Sequence, residues 1–124
     1  YAEKGRGRRS GKYTAYTFGV WKENELVTLT RAYSGLSDKE IEEVDKWIKS
    51  NVTESYGPVV EVVKEKVFEI AFQSISPKKT KKAGYTVRFP RIKRLRKTLS
   101  VEQADSVKDC KELSEKLRST TANV

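Results

Sequence analysis

Between Tyr13 and Trp21 the chain alternates without a break. Tyr13, Ala15, Thr17, Gly19 and Trp21 fall on one side, and Thr14, Tyr16, Phe18 and Val20 on the other. A period of two belongs to a β-strand, whose successive side chains point to opposite faces. Gly19 predicts a bulge or bend within it. Lys22-Glu-Asn-Glu25 reads as a hairpin turn, and Leu26–Ala32 as the returning strand, with Leu26, Thr28 and Thr30 opposing Val27, Leu29 and Arg31. Gly57-Pro58 ends an irregular stretch, and a short apolar strand, Val59–Val63, follows. A second long alternating run, Lys66–Ser76, sets Val67, Glu69 and Ala71 against Phe68, Ile70 and Phe72, and Pro77 closes it. Its single acid, Glu69, is expected to face outward or to pair with a neighbouring cation. Tyr85–Phe89 forms the last strand, ended by Pro90.

Two helical stretches accompany these strands. Ser37-Asp-Lys-Glu40 has the form of a capping box and predicts a helix to about Ser50. Ile41, Val44, Trp47 and Ile48 line one face of it as core packing, with acids and lysines opposite. Ser100-Val-Glu-Gln103 offers another cap. From Ser106 a terminal helix carries Val107, Cys110, Leu113 and Leu117 at helical spacing, and Ser119–Val124 is expected to fray. The fold class is therefore all-β: a five-stranded Greek-key barrel of the OB type with one internal and one C-terminal helix. An SH3-like barrel shares the same pattern. Residues 1–12 read as a basic lead-in, 13–99 as the barrel, and 100–124 as a terminal helix packed on it.

Charge then points to a partner. From Lys78 to Lys97, ten of twenty residues are Lys or Arg and none is acidic, so this segment carries +10 in a chain whose total is +9. Val87, Phe89, Ile92 and Leu95 interleave with the cations and are expected to anchor the segment to the core while the charges face an anion. A sequence pI near 9.7 favours a polyanionic partner. The lead-in from Lys4 to Lys12 is basic and glycine-rich, but its glycines lack the spacing of a dinucleotide-binding fingerprint. It reads equally as a flexible connector or a phosphate-contacting loop.

Several function classes drop out. With no histidine and one cysteine, a Ser/His or Cys/His nucleophile and a zinc site are excluded. Cys110 has no partner for an internal disulfide, suits a reducing cytoplasm, and reads as a small buried hydrophobe. Paired carboxylates in an apolar setting are absent, and no long apolar run suggests a membrane span. The chain starts at Tyr1 and has no methionine, which suggests a piece of a longer protein. What remains is electrostatic chemistry: guanidinium forks and ammonium groups that hold phosphate oxygens. Tyr13, Tyr16, Tyr85 and Trp21 are candidates for base stacking, though barrel wall is the simpler role.

Six stretches carry a resemblance across nearly the whole chain. They are Gly-Arg-Gly-Arg-Arg (5–9), Tyr-Thr-Phe-Gly-Val-Trp (16–21), Ala-Tyr-Ser-Gly-Leu-Ser-Asp-Lys-Glu-Ile (32–41) and Val-Phe-Glu-Ile-Ala-Phe (67–72), then the lysine-rich loop ending in Gly84, and Arg-Phe-Pro-Arg-Ile-Lys-Arg-Leu-Arg (88–96). Together they resemble the C-terminal OB-fold domain of bacterial and archaeal ATP-dependent DNA ligases. The resemblance implies a module that grips nicked duplex DNA in one orientation and closes over ATP in another, assisting lysine adenylation and phosphodiester bond formation. The adenylated lysine would belong to a separate domain of the same polypeptide, in a Lys-x-Asp-Gly motif that this chain lacks, so the chain alone should be inactive. ATP and Mg2+ would be bound mainly by that other domain, in a monomer located in the cytoplasm at a bacterial or archaeal nucleoid.

By the same resemblance, Arg96 takes the first position of the family's Arg-x-Asp-Lys motif, while Thr98 and Leu99 replace its aspartate and lysine. Arg96, with Arg94 and Lys97, is implied to bind ATP phosphates. Arg6, Arg8, Arg9 and Lys12 of the lead-in, Lys78, Lys79, Lys81 and Lys82 of the loop, and Arg88 and Arg91 are implied to bind DNA. A free-standing nucleic-acid-binding OB module without a catalytic role is the alternative, and an RNA-capping guanylyltransferase domain is a related one.

Overall fold

The computed structural model describes residues 1–5, 11–33 and 35–122, the last seven of these by backbone alone. The elements run β1 (Ala2–Lys4), β2 (Tyr13–Lys22), β3 (Glu25–Ala32), α1 (Asp38–Ser50), β4 (Val52–Tyr56), β5 (Val59–Val62), β6 (Phe68–Ala71), β7 (Ser74–Pro77), β8 (Tyr85–Arg88), β9 (Arg91–Leu95) and α2 (Val107–Ala122). An antiparallel five-stranded sheet has the order β3-β2-β1-β5-β4, and two further pairs, β6-β9 and β7-β8, face it. The architecture is all-β and OB-like, with two accessory helices.

The β2–β3 hairpin follows the alternation of its sequence. Its register shifts between Phe18 and Gly19. A Cβ at Gly19 would lie 2.9 Å from the Val27 carbonyl oxygen, so the bulge needs the missing side chain. At the start of α1, the Glu40 amide donates to Ser37 Oγ (3.2 Å) and the Ser37 amide to Glu40 Oε1 (3.1 Å), which closes the expected capping box. Ile41, Val44 and Ile48 are buried as expected. Asp45 departs from its acidic face and is buried too. It accepts the Tyr13 amide at 2.8 Å and pairs with Lys49 at 2.8 Å, tying α1 to the first residue of β2.

Four expectations need correction. The first residues are not all lead-in: Ala2–Lys4 is a strand between β2 and β5, and Ala2 is buried. A strand also precedes Gly57, because β4 pairs with β5. The long run Lys66–Ser76 is two strands, β6 and β7, with different partners. Finally, the chain resumes as β9 after Pro90 and pairs back to β6. The two pairs form one bent hairpin, with the bend at Phe72-Gln73 on one arm and Phe89-Pro90 on the other, and the Gln73 amide donating to the Arg88 carbonyl at 2.9 Å.

Each half of that hairpin covers its own core. Ile92, Phe68 and Ile70 close over Tyr13, Tyr16, Val44, Ile48 and Val60. Ile75, Tyr85 and Val87 pack with Val20, Val27, Ala83 and Cys110. Around Phe68, Tyr16 stacks at 6.1 Å and Phe18 meets it edge-on at 5.3 Å, favourable ring geometries at the barrel centre.

The C-terminal segment is held by Trp21, whose Nε1 donates to the Val101 carbonyl at 2.8 Å and whose amide donates to the Asp105 carbonyl at 3.0 Å. The cap at Ser100 opens only a 3₁₀ turn, Val101–Gln103, and α2 has its own cap in Ser106 and Asp109. Of the expected apolar stripe on α2, Val107 and Cys110 face the core whereas Leu113 is exposed. The backbone stays helical past Ser119 to Ala122.

Candidate nucleic-acid and phosphate interface

The loop between β7 and β8 is a set of turns rather than a loose tail. The Lys78 amide donates to Gly84 O (2.8 Å), Lys81 to Lys78 O (3.1 Å) and Gly84 to Lys81 O (2.9 Å), with Gly84 at φ +81. Ala83 is buried in the second core cluster, and this fixes the loop while Lys78, Lys79, Lys81 and Lys82 remain exposed. Lys22 joins them, its Nζ reaching the Lys82 carbonyl at 3.5 Å. Further along the hairpin, Arg88 and Arg91 are exposed on either side of the Phe89-Pro90 bend. Among the described residues, none of these loop lysines and neither of these arginines has a carboxylate within ion-pair distance.

Phe89 overturns its expected role as a core anchor. It is 67% exposed, adopts φ +54, and lies under the Arg88 guanidinium, which is 5.3 Å from its ring centroid. A bulky residue in left-handed backbone costs roughly 1–2 kcal/mol. Here it leaves an apolar ring displayed between two arginines. The sequence signal was an aromatic set between arginine and proline, but alternation alone assigned it inward. Val87, Ile92 and Leu95 do point inward to varying degrees.

The other end of the basic segment is organised by an acid. Glu69 lies opposite Arg94 in the β6–β9 pair, and the register shifts between Glu69 and Ile70. Glu69 Oε1 pairs with Arg96 Nη1 at 3.2 Å, while Oε2 lies 3.4 Å from both Lys93 Nζ and Arg94 Nε. Burial pushes the Glu69 carboxyl upward, but Lys93, Arg94 and Arg96 hold it below its ordinary value. One carboxylate therefore sits amid three cations and leaves an excess of positive charge. The Arg96 amide is fixed as well, donating to the Val67 carbonyl at 2.8 Å.

The remaining expected cations differ in their surroundings. Lys97 lies 3.7 Å from Glu43 on α1, and Lys12 lies 3.1 Å from Glu42. Arg6, Arg8 and Arg9 lie outside the described residues. Tyr13 and Tyr16 are buried, and Trp21 and Tyr85 are half-buried, so these rings are wall rather than stacking platform. Among the described residues, no three His, Cys, Asp or Glu side chains are grouped to hold a metal ion. No helix among them is long and apolar enough to cross a membrane.

The profile of the ATP dependent DNA ligase C terminal region matches residues 9–98. The chain belongs to that family. It is 38% identical over 111 residues to a probable DNA ligase of Koribacter versatilis, covering 90% of this chain and 19% of that protein. It is 35% identical over 107 residues to a DNA ligase of Methanocella arvoryzae, covering 85% and 19%. To a DNA ligase of Methanopyrus kandleri it is 30% identical over 115 residues, covering 91% and 21%. The chain thus spans about a fifth of the length of these relatives.

Within this ligase C-terminal region, Thr98 and Leu99, which the resemblance sets at the motif's aspartate and lysine, follow Arg96 in a turn. Thr98 is exposed, and Leu99 is half-buried with its amide donating to the Arg96 carbonyl at 3.3 Å. The turn that follows Arg96 is therefore closed by backbone, with an apolar side chain at Leu99.

Proposed function

We propose that this ligase domain binds nicked duplex DNA and closes over ATP, assisting lysine adenylation and phosphodiester bond formation. The observation that carries the reading is the sorting of cations along one bent hairpin. Those at its tip and bend (Lys78, Lys79, Lys81, Lys82, Arg88 and Arg91) have no carboxylate partner among the described residues, whereas Arg94 and Arg96 are gathered on Glu69. Unpaired exposed cations on a fixed turn suit a sequence-independent phosphate backbone, whose negative charge is dense and regular. The four residues of β8 separate tip from bend by about 14 Å, the axial rise of about four base pairs. Phe89 places an apolar ring between cations at the bend, as minor-groove proteins do when they set a wedge against the duplex. Arg6, Arg8, Arg9 and Lys12 of the lead-in would extend the same contact.

Arg96, Arg94 and Lys97 would hold the ATP phosphates as pyrophosphate departs. A guanidinium with two donors aimed at a developing charge stabilises it without reorganising at the moment of reaction. The adenylated lysine, ATP and Mg2+ would be held mainly by another domain of the same polypeptide, and the ligase would work as a monomer at the nucleoid. Magnesium, bound there, would neutralise phosphate charge; this domain's residues bind and orient.

In the full-length ligase, Arg96→Ala is expected to slow self-adenylation about a hundredfold, roughly 3 kcal/mol for one charge-assisted contact to a developing charge. Sealing of a pre-adenylated nick should change far less. Equal loss in both assays would make Arg96 a DNA contact or a structural residue and would overturn its phosphate role.

A further inference from the structure

We propose that Glu69 is a built-in anion that occupies the arginine cluster at rest and is displaced when a polyphosphate arrives. The inference rests on the proposed phosphate role of Arg94 and Arg96 and assigns that site a second component, a competitor for its own ligand.

Three features of the cluster lead to it. First, its geometry is loose. The three ion contacts of Glu69 measure 3.2, 3.4 and 3.4 Å, and Oε2 is enclosed without a hydrogen bond. A tight charge-assisted hydrogen bond from nitrogen to carboxylate runs at about 2.7–2.9 Å, so this carboxylate holds its partners in place without satisfying them fully. Second, the count is unequal. Lys93, Arg94 and Arg96 bring three positive charges against one negative, and the excess stays available to an anion from solution. Third, the site is accessible. The side chains of Arg96, Lys93 and Arg94 are 39–56% exposed, and that of Glu69 is 31% exposed, so an anion can enter without opening the core.

A bulge sets up the arrangement. Because the register shifts between Glu69 and Ile70, Lys93 and Arg94, neighbours on β9, both reach one carboxylate, and Arg96 reaches it from the strand end. At rest Glu69 offsets part of the mutual repulsion of these three cations and occupies the position that an incoming phosphate would take. A diphosphate carries more charge and more acceptor oxygens than a carboxylate, which makes the exchange favourable. Return of Glu69 to the cations then promotes release of the leaving group. Glu69 is thus a competitor for the phosphate ligand, acting through Arg94 and Arg96.

The test uses the 124-residue chain and inorganic pyrophosphate as the probe, titrated calorimetrically without metal. Glu69→Gln keeps the shape and removes the charge. Loss of a merely structural residue would weaken binding, whereas removal of a competitor should tighten it. The variant is expected to bind pyrophosphate about two- to fivefold more tightly than the wild type, the upper part of the range for one partly exposed charge pair. Adding Arg96→Ala should abolish the gain. In the wild type, the Glu69 carboxyl carbon resonance should shift as pyrophosphate saturates the site, a readout that needs no variant should Glu69→Gln fail to fold. An unmoved Glu69 resonance at saturation, or affinity in the variant equal to or below wild type, overturns the role of Glu69 and leaves the phosphate role of Arg96 standing. Pyrophosphate binding neither protein overturns both.

Discussion

Replacing Gly35 with alanine probes the joint that holds the basic hairpin against the barrel. Gly35 lies in the connection from β3 to α1 at φ +114, and a Cβ there would fall inside the Ile92 carbonyl group. Ile92 is 2% exposed and sits in β9 between Arg91 and Lys93. Two effects add in Gly35→Ala: backbone strain in a region that L-residues avoid, and displacement of β9 by overlap with backbone, which has no rotamer to relieve it. Gly57→Ala separates them, since Gly57 has φ +67 and nothing within 4 Å of an added Cβ. Gly57→Ala should cost about 1 kcal/mol, the left-handed penalty alone. Gly35→Ala should cost about 2–4 kcal/mol, since overpacking a closed site adds a further 1–3. Urea denaturation of both variants with unchanged m-values checks this. Equal costs would refute the close approach of this connection to β9.

Two further outcomes follow from buried ionisable groups. Burial raises the Asp45 carboxyl, but Lys49, the Tyr13 amide and Lys12 outweigh it and hold the group below its ordinary value. Its stabilisation is therefore present above the unfolded carboxylate range and lost as pH falls through the lowered folded value. Asp45→Asn should cost about 2 kcal/mol near neutrality and flatten that acid limb in denaturation curves; an unchanged limb would refute it. Burial, with Asp105 and Asp109, pushes the Cys110 thiol from 9.0 to about 11, so stability should be full below pH 9 and decline as pH rises towards 11. At pH 8 iodoacetamide should modify the folded protein at least about a hundredfold more slowly than the urea-unfolded chain; comparable rates would refute the burial.

The sequence made some elements legible because their physics is local. Alternation from Tyr13 to Trp21 and the Ser37–Glu40 box each encode an element within a dozen residues, and both are present as read. The hidden elements lack a local signal. β4 is exposed along its whole length, so Val52–Tyr56 shows no apolar face. β9 is masked by its own charges, and only Ile92 within it is fully buried. The run Lys66–Ser76 has unbroken alternation, yet its two halves pair with different strands, a tertiary fact that parity cannot carry. The candidate site divides in the same way. Composition identified the cations, and Glu69 was expected to turn outward or pair. That three cations converge on it depends on a one-residue register shift across strands more than twenty residues apart in sequence.

The most direct measurement is the salt dependence of binding to nicked duplex DNA by the wild-type chain and a variant with Lys78, Lys79, Lys81 and Lys82 all changed to alanine. Each phosphate neutralised contributes about −0.9 to the slope of log K against log salt, so about five contacts give a slope near −4 to −5. Removing the four lysines should make it shallower, by up to about 3.6 if each holds one phosphate, with affinity lost uniformly across sequences. A wild-type affinity that ignores salt, or a slope that the four substitutions leave unchanged, would contradict the claim that the unpaired cations of this hairpin hold the DNA backbone.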